Sequence, residues 1–284
     1  MSAVWATLRR AYHRQLCQQV LALDSRGVPN NADRHSRASR AIAQNLWQIV
    51  CAKVSVTPPT RQVPGQTVGR AFETATRTYL EQAFGRLQHL RPGRWHFTVS
   101  GESHQFAQYR HLVDLKSILQ AHRQLHAALG DYLIHPDIIV ARYPVTDEEI
   151  NREERLLGEE EIATLTPLRA ANNKALLLHA SVSCKWTMRS DRAQNVRTEA
   201  LNLIRNRKGH TPHVVVVTAE PLPGRLASLA LGTGDLDCVY HVALPELRRA
   251  VAALGEESAR ELLETMILGQ RLRDISDLPL DLAA

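Results

Sequence analysis

One aspartate and one lysine lie beside apolar segments, in positions where they could act together on a phosphate group. Asp137 begins a predicted strand, and Lys185 lies near the end of the next predicted strand, residues 176–186. Residues two apart on a strand share a face, so Ser183 and Lys185 project together. If the strands pair, Asp137 and Lys185 meet at one edge of a sheet. There a carboxylate can hold Mg²⁺, and a lysine can stabilise phosphorane charge or orient an attacking water.

This arrangement follows the logic of the PD-(D/E)xK nucleases, with one departure. Such a site has an acidic residue two positions before its lysine, and here that position is occupied by Ser183. Glu199 lies on the predicted helix 190–207, which can bring its carboxylate back to the end of the strand. Glu73, on the predicted helix 66–87, can add a further carboxylate through tertiary packing.

Each of these features also has a simpler interpretation. A Pro-Asp pair before an apolar strand is usually a turn, and Glu199 by itself is most often a solvated helix residue. Only 5 of the 35 basic residues are lysines, however, and Lys185 falls within an apolar strand. Because an unpaired lysine is rarely buried, this placement favours a functional role.

The segment after the predicted strand 176–186, residues 189–192, places two arginines at the start of a helix. Ser190 or Asp191 can cap that helix, whereas Arg189 and Arg192 oppose its macrodipole unless this end faces an anion. Arginine can bond guanine O6 and N7 together, and aspartate can accept from the cytosine amino group. The segment therefore suits G·C pairs in the major groove. A local surface ion-pair cluster is the alternative.

The charge distribution is consistent with nucleic acid as a partner. The chain stands at +6, with eight basic and two acidic residues in 1–60, and eight basic and three acidic residues in 181–225. These stretches could form one anion-binding face, or they could be ordinary solvated surface. Residues 147–161 hold eight acidic and two basic residues, which predicts a solvated helix facing away from DNA.

Alternation of apolar runs with helical periodicity predicts an α/β fold, a central mixed β-sheet flanked by helices, over a single domain of residues 1–284. Strands are expected at 95–100, within 132–142 around the apolar run 138–140, and at 176–186, 214–218 and 237–242. Helices are expected at 3–22, 36–53, 66–87, 105–129, 190–207, 245–254 and 257–268.

Several classes of protein are disfavoured. No apolar run approaches the ~20 residues that cross a bilayer, and the N-terminus lacks secretion-signal features. The four cysteines form no CxxC pair, which argues against a zinc ribbon and suits the cytoplasm. Residues 232–235 are Gly-rich but lack a following lysine, which predicts a turn and not a phosphate loop.

Long stretches of the chain resemble the NgoMIV-like type II (type IIF) restriction endonucleases of the PD-(D/E)xK superfamily. The resemblance is densest at residues 63–67 and 71–73, and it continues at 136–140, 178–195, 205–209, 214–221, 230–234 and 274–283. It is poor over 99–130, and the interval between Asp137 and Lys185 differs slightly in length. It implies a restriction-endonuclease-like fold and cleavage of the palindrome GCCGGC.

The resemblance also implies roles for the residues of the predicted site. Asp137 would be the bridging metal ligand and Lys185 the catalytic lysine. Glu199 would be the displaced acidic residue, and Glu73 an additional active-site carboxylate.

For DNA recognition, the resemblance implies two groups of residues. Arg189, Asp191 and Arg192, with Ser190 among them, would read the central CCGG. Asp33 and Arg225 would contact the outer G·C pair.

Three further residues receive roles from the resemblance. Ser183 and Cys184 would lie in the metal site, Cys184 through its backbone carbonyl, and Gln66 would lie toward the minor groove. The resemblance further implies two Mg²⁺ per active site and a homotetramer, a dimer of dimers, that binds double-stranded DNA.

Two other functions remain open. A catalytically silent DNA-binding regulator would use the same arginines but would not need Asp137, Lys185 and Glu199. A nuclease without base specificity would need those three and no reader. For the specific nuclease, cutting both strands of a palindrome requires a two-fold dimer, and hydrolysis by an activated water would leave 5′-phosphate and 3′-hydroxyl ends.

Overall fold

A computed structural model describes residues 3–113, 117–118, 135–188, 190–232 and 234–284, and for residues 190–192 it describes the backbone alone. Its centre is one six-stranded mixed sheet whose strands lie side by side in chain order. The strands are β1 Trp95–Val99, β2 Ile138–Arg142, β3 Leu177–Lys185, β4 His213–Thr218, β5 Cys238–His241 and β6 Leu272–Asp274. This confirms the predicted fold class.

The direction of the strands changes at β3, and this change determines where the site forms. β1, β2 and β3 pair antiparallel, whereas β3 to β6 pair parallel. The register sets Ile138 opposite Val182, so the start of β2 lies beside the end of β3. On its other side, β3 sets Lys185 opposite Thr218 at the end of β4. The residues flanking these three strand ends therefore meet at one edge of the sheet.

The central strands are buried for most of their length, which explains their continuous apolar sequences. Residues 138–141 of β2 and 214–217 of β4 are buried throughout. A strand covered on both faces reads as an unbroken β-branched run and not as an alternation of apolar and polar residues. The same burial makes this part of the sheet a rigid support for side chains at its edge.

Nine α-helices are described. They are α1 Val4–Gln15, α2 Arg37–Val54, α3 Gly65–Phe84, α4 Asp147–Ile150, α5 Ser190–Asn206, α6 Pro223–Ala230, α7 Leu244–Leu254, α8 Glu257–Leu268 and α9 Leu278–Asp281. They pack as a connected series: α1 contacts α2 and α3, α2 contacts α7, α7 contacts α8, and both α8 and α5 contact α6. None of the helices in the described ranges is long and apolar enough to span a bilayer.

Local sequence determines where the long helices begin and which side they bury. Ser36 caps α2, because its hydroxyl accepts a hydrogen bond from Ser39 N at 3.1 Å. On α3, Phe72, Thr76 and Tyr79 are buried at helical spacing. Truncating Phe72 to alanine would cost ~3–5 kcal/mol, the usual range for a buried aromatic ring.

Two helix predictions are wrong within the described residues. Residues 103–109 form two short 3₁₀ turns instead of the start of a helix over 105–129, most of which lies outside the described residues. Within 147–161 only α4 is helical. Asn151 accepts from Leu156 N and Leu157 N at 3.0 and 2.8 Å, and these bonds close a loop where the helix was expected to continue.

β6 was not predicted. It has three residues, Leu-Arg-Asp, and therefore lacks the apolar run that identifies a strand.

Candidate active site

Asp137 and Lys185 meet at the edge of the sheet, as the strand pattern predicts. Lys185 Nζ donates to Asp137 Oδ2 at 2.7 Å, and the backbone nitrogen of Cys184 donates to the same oxygen at 2.7 Å. The antiparallel pairing of β2 and β3 produces this contact, because it sets the first residue before β2 against the last residues of β3. The carboxylate is thus fixed by one backbone and one side-chain donor.

Lys185 is held in its charged form. Its side chain is 19% exposed. Burial lowers the pKa of Lys185, but the charge and hydrogen bond of Asp137, with the charge of Glu199, outweigh burial and raise that pKa overall. A lysine with a raised pKa cannot accept a proton near neutral pH. It can stabilise negative charge or orient a water molecule, which are the two roles considered from the sequence.

Glu73 from α3 and Glu199 from α5 lie near enough to Asp137 and Lys185 for their charges to interact with that pair. Both are half-buried. Burial and the neighbouring charge of Asp137 raise the pKa of each glutamate, and Lys185 partly offsets the rise. The fold therefore brings together all four charged residues that the sequence places in the site.

Ser183 and Cys184 lie in β3 and are buried. Burial raises the pKa of the Cys184 thiol well above its usual range, and the charge of Asp137 acts in the same direction. The thiol is therefore protonated and is not a nucleophile. The contact that Cys184 makes with the candidate site is through its backbone.

The donors of this site suit a hard divalent cation. Carboxylate and carbonyl oxygens are the ligands that Mg²⁺ prefers, and three carboxylates around one lysine leave an excess of negative charge. Across the described ranges, no three His, Cys, Asp or Glu side chains are close enough together to enclose a metal ion. The chemistry of the donors fits the expected metal, and the present spacing is that of a salt-bridged site.

A second polar cluster lies beside the end of β3. Arg225 in α6 pairs with Asp33 through Nη2, and its Nη1 donates to the carbonyl oxygen of Met188 at 3.1 Å. Hydrogen bonding from His35 N, followed by the charge of Arg225, lowers the pKa of Asp33. The two residues that the resemblance assigns to the outer base pair thus lie in contact with each other.

This pair borders an open cleft. The cleft has a volume of about 550 Å³ and is lined by Asn30, Asn31, Ala32, Asp33, Arg34, His35, Thr187 and Arg225. All of its charged side chains except Asp33 are basic, and no large apolar side chain lines it. A polar, mainly basic cleft of this kind suits contact with the edges of bases and with phosphates.

The other residues predicted to read bases are placed less completely. Ser190, Asp191 and Arg192 open α5, which confirms a helix start directly after β3, and their side chains are not described. Arg189 lies outside the described residues. Gln66 lies in the first turn of α3 and is exposed.

Two buried residues at the cleft were not predicted. Glu220 is buried after β4, and its carboxylate accepts from Met188 N at 2.8 Å. Asn31 is buried and donates from Nδ2 to the carbonyl oxygen of Ala219 at 2.6 Å. The available sequence signal was an acidic residue two positions after the most apolar strand of the chain, residues 214–218.

Comparison with known proteins gives three similarities. A family model described as NgoMIV restriction enzyme matches residues 12–284. The chain is 48% identical over 290 residues to the type II restriction enzyme NgoMIV of Neisseria gonorrhoeae, with 100% of both chains covered. The crystal structure of the type IIF restriction endonuclease Bse634I with cognate DNA is similar over 87% of this chain and 91% of that one, at 12% identity and a TM-score of 0.40. A likeness as weak as the last says nothing about activity.

Proposed function

The chain belongs to the NgoMIV restriction enzyme family and is a type II restriction endonuclease, and from this premise we propose that it cuts double-stranded DNA at GCCGGC in a Mg²⁺-dependent reaction. One observation carries the catalytic part of the proposal. Asp137 Oδ2 accepts from both Lys185 Nζ and Cys184 N, with Glu73 and Glu199 in electrostatic contact with the pair.

Mg²⁺ would be held by Asp137 and the backbone carbonyl of Cys184, with two ions per active site and with Ser183 beside them. When bound, the metal would lower the pKa of a coordinated water and offset charge on the phosphate. Glu73 and Glu199 add negative charge near these ligands, which favours a divalent cation over solvent.

The chain's own residues contribute to hydrolysis by positioning the reacting groups and by supplying charge to the phosphate. Lys185 would stabilise negative charge on the phosphate or orient the attacking water. Asp137 holds Lys185 Nζ at 2.7 Å and so sets its direction from the edge of the sheet. Hydrolysis would leave a 5′-phosphate and a 3′-hydroxyl.

Base reading is assigned to the cleft and to the start of α5. Arg225 supplies the paired donors that match guanine O6 and N7, and Asp33 supplies an acceptor for the cytosine amino group. The two lie side by side, which supports their assignment to the outer G·C pair. Arg189, Asp191 and Arg192, with Ser190, are assigned to the central CCGG.

Three further parts of the proposal concern contacts and assembly. Gln66, exposed on α3, is assigned to the minor groove. Two-fold symmetric DNA requires a two-fold dimer, and we extend this to a homotetramer formed by two dimers. The free, buried cysteines suit a reducing cytoplasm.

Digestion of plasmid DNA carrying two GCCGGC sites tests the proposal. We expect discrete fragments that require Mg²⁺, whose ends can be ligated and carry GCCGGC when sequenced. Fragments with a different terminal sequence would overturn the assigned site, and cutting in a metal chelator would overturn the assigned metal.

The catalytically silent regulator is disfavoured by the same site. A protein that only reads DNA has no need for three carboxylates and a lysine at one edge of its sheet. Membership in a family of restriction enzymes points the same way.

A further inference from the structure

Glu220 is a buried carboxylate that the cleavage reaction does not use. Its side chain has no solvent exposure, and it follows the end of β4 by two residues. Burying a carboxylate is costly unless its oxygens are bonded. Here Oε2 accepts from Met188 N at 2.8 Å, and Oε1 accepts from Leu222 N at 3.1 Å. The carboxylate therefore ties the segment after β3 to the start of α6.

Met188 is held from both sides by this arrangement. Glu220 accepts from its nitrogen, and Arg225 Nη1 donates to its oxygen at 3.1 Å. Arg225 Nη1 also lies 3.9 Å from Glu220 Oε2. Met188 directly precedes residues 189–192, which are assigned to the central CCGG. Arg225, which is assigned to the outer pair, and Glu220 therefore both bond the peptide that leads into these residues.

The residues around Glu220 hold the rest of the cleft. Thr218 Oγ1 donates to the carbonyl oxygen of Lys185 at 2.7 Å and accepts from Glu220 N at 3.1 Å. The carbonyl of Ala219 accepts from Asn31, which lies two residues before Asp33. Residues 218–220 thus contact the end of the catalytic strand, the segment before α5 and the loop that carries Asp33.

We propose that Glu220 is a positioning residue for base reading, which couples recognition of the outer G·C pair to recognition of the central CCGG. This rests on the proposed function, because it takes Arg225 and the residues 189–192 as the two readers. Glu220 touches neither DNA nor the reacting atoms in this scheme. It fixes Arg225 and the Met188 peptide relative to one another, so that a displacement of one reader moves the other.

The charge state of Glu220 gives the coupling a pH dependence. Burial raises the pKa of Glu220 to about 7, although the backbone N–H groups of Met188 and Leu222 and the charge of Arg225 oppose the rise. The charged side chains that face it are Arg225 on α6 and Asp33 in the loop before α2; the contacts from the end of β3 are with the backbone. Protonation below pH 7 removes the attraction for Arg225 and weakens the bond to Met188.

The test compares Glu220→Gln with wild type in binding to three duplexes, with Ca²⁺ in place of Mg²⁺ so that DNA is bound without being cut. The duplexes contain GCCGGC, ACCGGT with the outer pair changed, and GCTAGC with the centre changed. Each discrimination ratio is the affinity for GCCGGC divided by the affinity for one of the two altered duplexes. We expect Glu220→Gln to reduce both ratios by about tenfold, the effect of one charge-assisted hydrogen bond. Its affinity for a random duplex should stay within about twofold of wild type. Glu261→Gln, an exposed substitution on α8, should change neither ratio.

Two further variants isolate the coupling. Arg225→Ala should reduce the outer-pair ratio, and adding Glu220→Gln to it should reduce that ratio no further. Additive losses in the double variant would overturn the inference. So would equal weakening on all three duplexes, or unchanged ratios in Glu220→Gln.

A measurement on wild type covers the case in which Glu220→Gln fails to fold, as judged by circular dichroism. Both discrimination ratios should rise together between pH 6 and pH 8, and constant ratios would overturn the inference. The proposed function is judged separately. The proposed function fails if wild type prefers a sequence other than GCCGGC. The coupling fails if the two discrimination ratios, measured for whichever sequence wild type prefers, do not change together.

Discussion

The ammonium nitrogen of Lys185 lies 2.7 Å from Oδ2 of Asp137, and the two residues neutralise each other at the edge of the sheet. Asp137 has a side chain that is 23% exposed, so the pair is only partly shielded from solvent. Each residue therefore sets the position and charge state of the other. Substituting either one tests both its own role and its effect on its partner.

Replacing Lys185 with alanine should abolish cleavage and leave DNA binding largely intact. The lysine supplies charge to the reacting phosphate, and losing such a group costs roughly a hundred- to a thousandfold or more in rate. The measurement is the initial rate of plasmid cleavage in Mg²⁺, beside the affinity for the GCCGGC duplex. Lys174→Ala, a substitution at an exposed lysine, should cut at the wild-type rate. A Lys185→Ala enzyme that cuts at near-normal rate would refute the assigned role.

Asp137→Asn should stop cutting and also weaken metal binding. The amide keeps the shape of the carboxylate but has no charge to hold Mg²⁺, and the pKa of Lys185 should fall because Asp137 raises it in wild type. Calorimetric titration with Mg²⁺ gives the metal affinity. An unchanged affinity would show that Asp137 is not a ligand.

Arg225→Ala and Arg192→Ala should relax recognition most strongly at different base pairs, with a smaller loss at the other pair through the Met188 peptide. Each loss of a bidentate guanine contact should cost roughly 1–3 kcal/mol of discrimination, at the outer pair for Arg225 and at the central CCGG for Arg192. Competition binding with duplexes altered at one pair measures this. Arg248→Ala, on the surface of α7 and paired with Glu264, is the control. The assignment fails if either variant loses affinity equally for specific and random duplexes.

Arg9→Ala should destabilise the protein by about 3–5 kcal/mol, the usual cost of removing one partner from a buried ion pair, although Glu246 keeps its bond to Lys53 at 2.6 Å. Arg9 bonds Glu246 and Asp274 at 2.8 and 2.7 Å through Nη2, and the glutamate side chain is 1% exposed. Urea denaturation gives the free energy of unfolding. Arg249→Ala, at an exposed arginine on α7, should change it by less than about 0.5 kcal/mol.

The contribution of Glu220 to stability should decline as pH rises. Its pKa is about 7 in the folded protein against an ordinary value of 4.5. Between these values the folded chain binds more protons than the unfolded chain, so the free energy of unfolding falls with rising pH, by up to about 3 kcal/mol. Glu220→Gln should remove this fall.

The pH dependence of stability must be compared between wild type and Glu220→Gln, because the buried histidines change stability with pH in the opposite direction. Burial lowers the pKa of His13, His179 and His241 to about 4, so they add stability as pH rises toward neutral. Urea denaturation of both proteins at pH 5 and pH 8 isolates Glu220. Equal pH dependence in the two proteins would contradict the prediction.

Much of the fold followed from local patterns. The apolar runs at 138–140 and 214–218 are β-branched and buried on both faces, so they could be recognised as strands without knowledge of their neighbours. The periodicity of Phe72, Thr76 and Tyr79 located α3 in the same way. Predictions failed where a single side chain changed the local conformation, as Asn151 does by closing a loop within the acidic segment.

The sequence by itself determined which residues could act on a phosphate and which strands would carry them, because apolar runs and residue types are local properties. Only the tertiary structure decided that Glu73 and Glu199, on two different helices, approach the Asp137–Lys185 pair. It also decided that Asp33 meets Arg225 across 192 residues of chain and that Glu220 lies beneath them. These contacts depend on how helices and loops pack on the sheet, and that packing results from burial summed over the whole core.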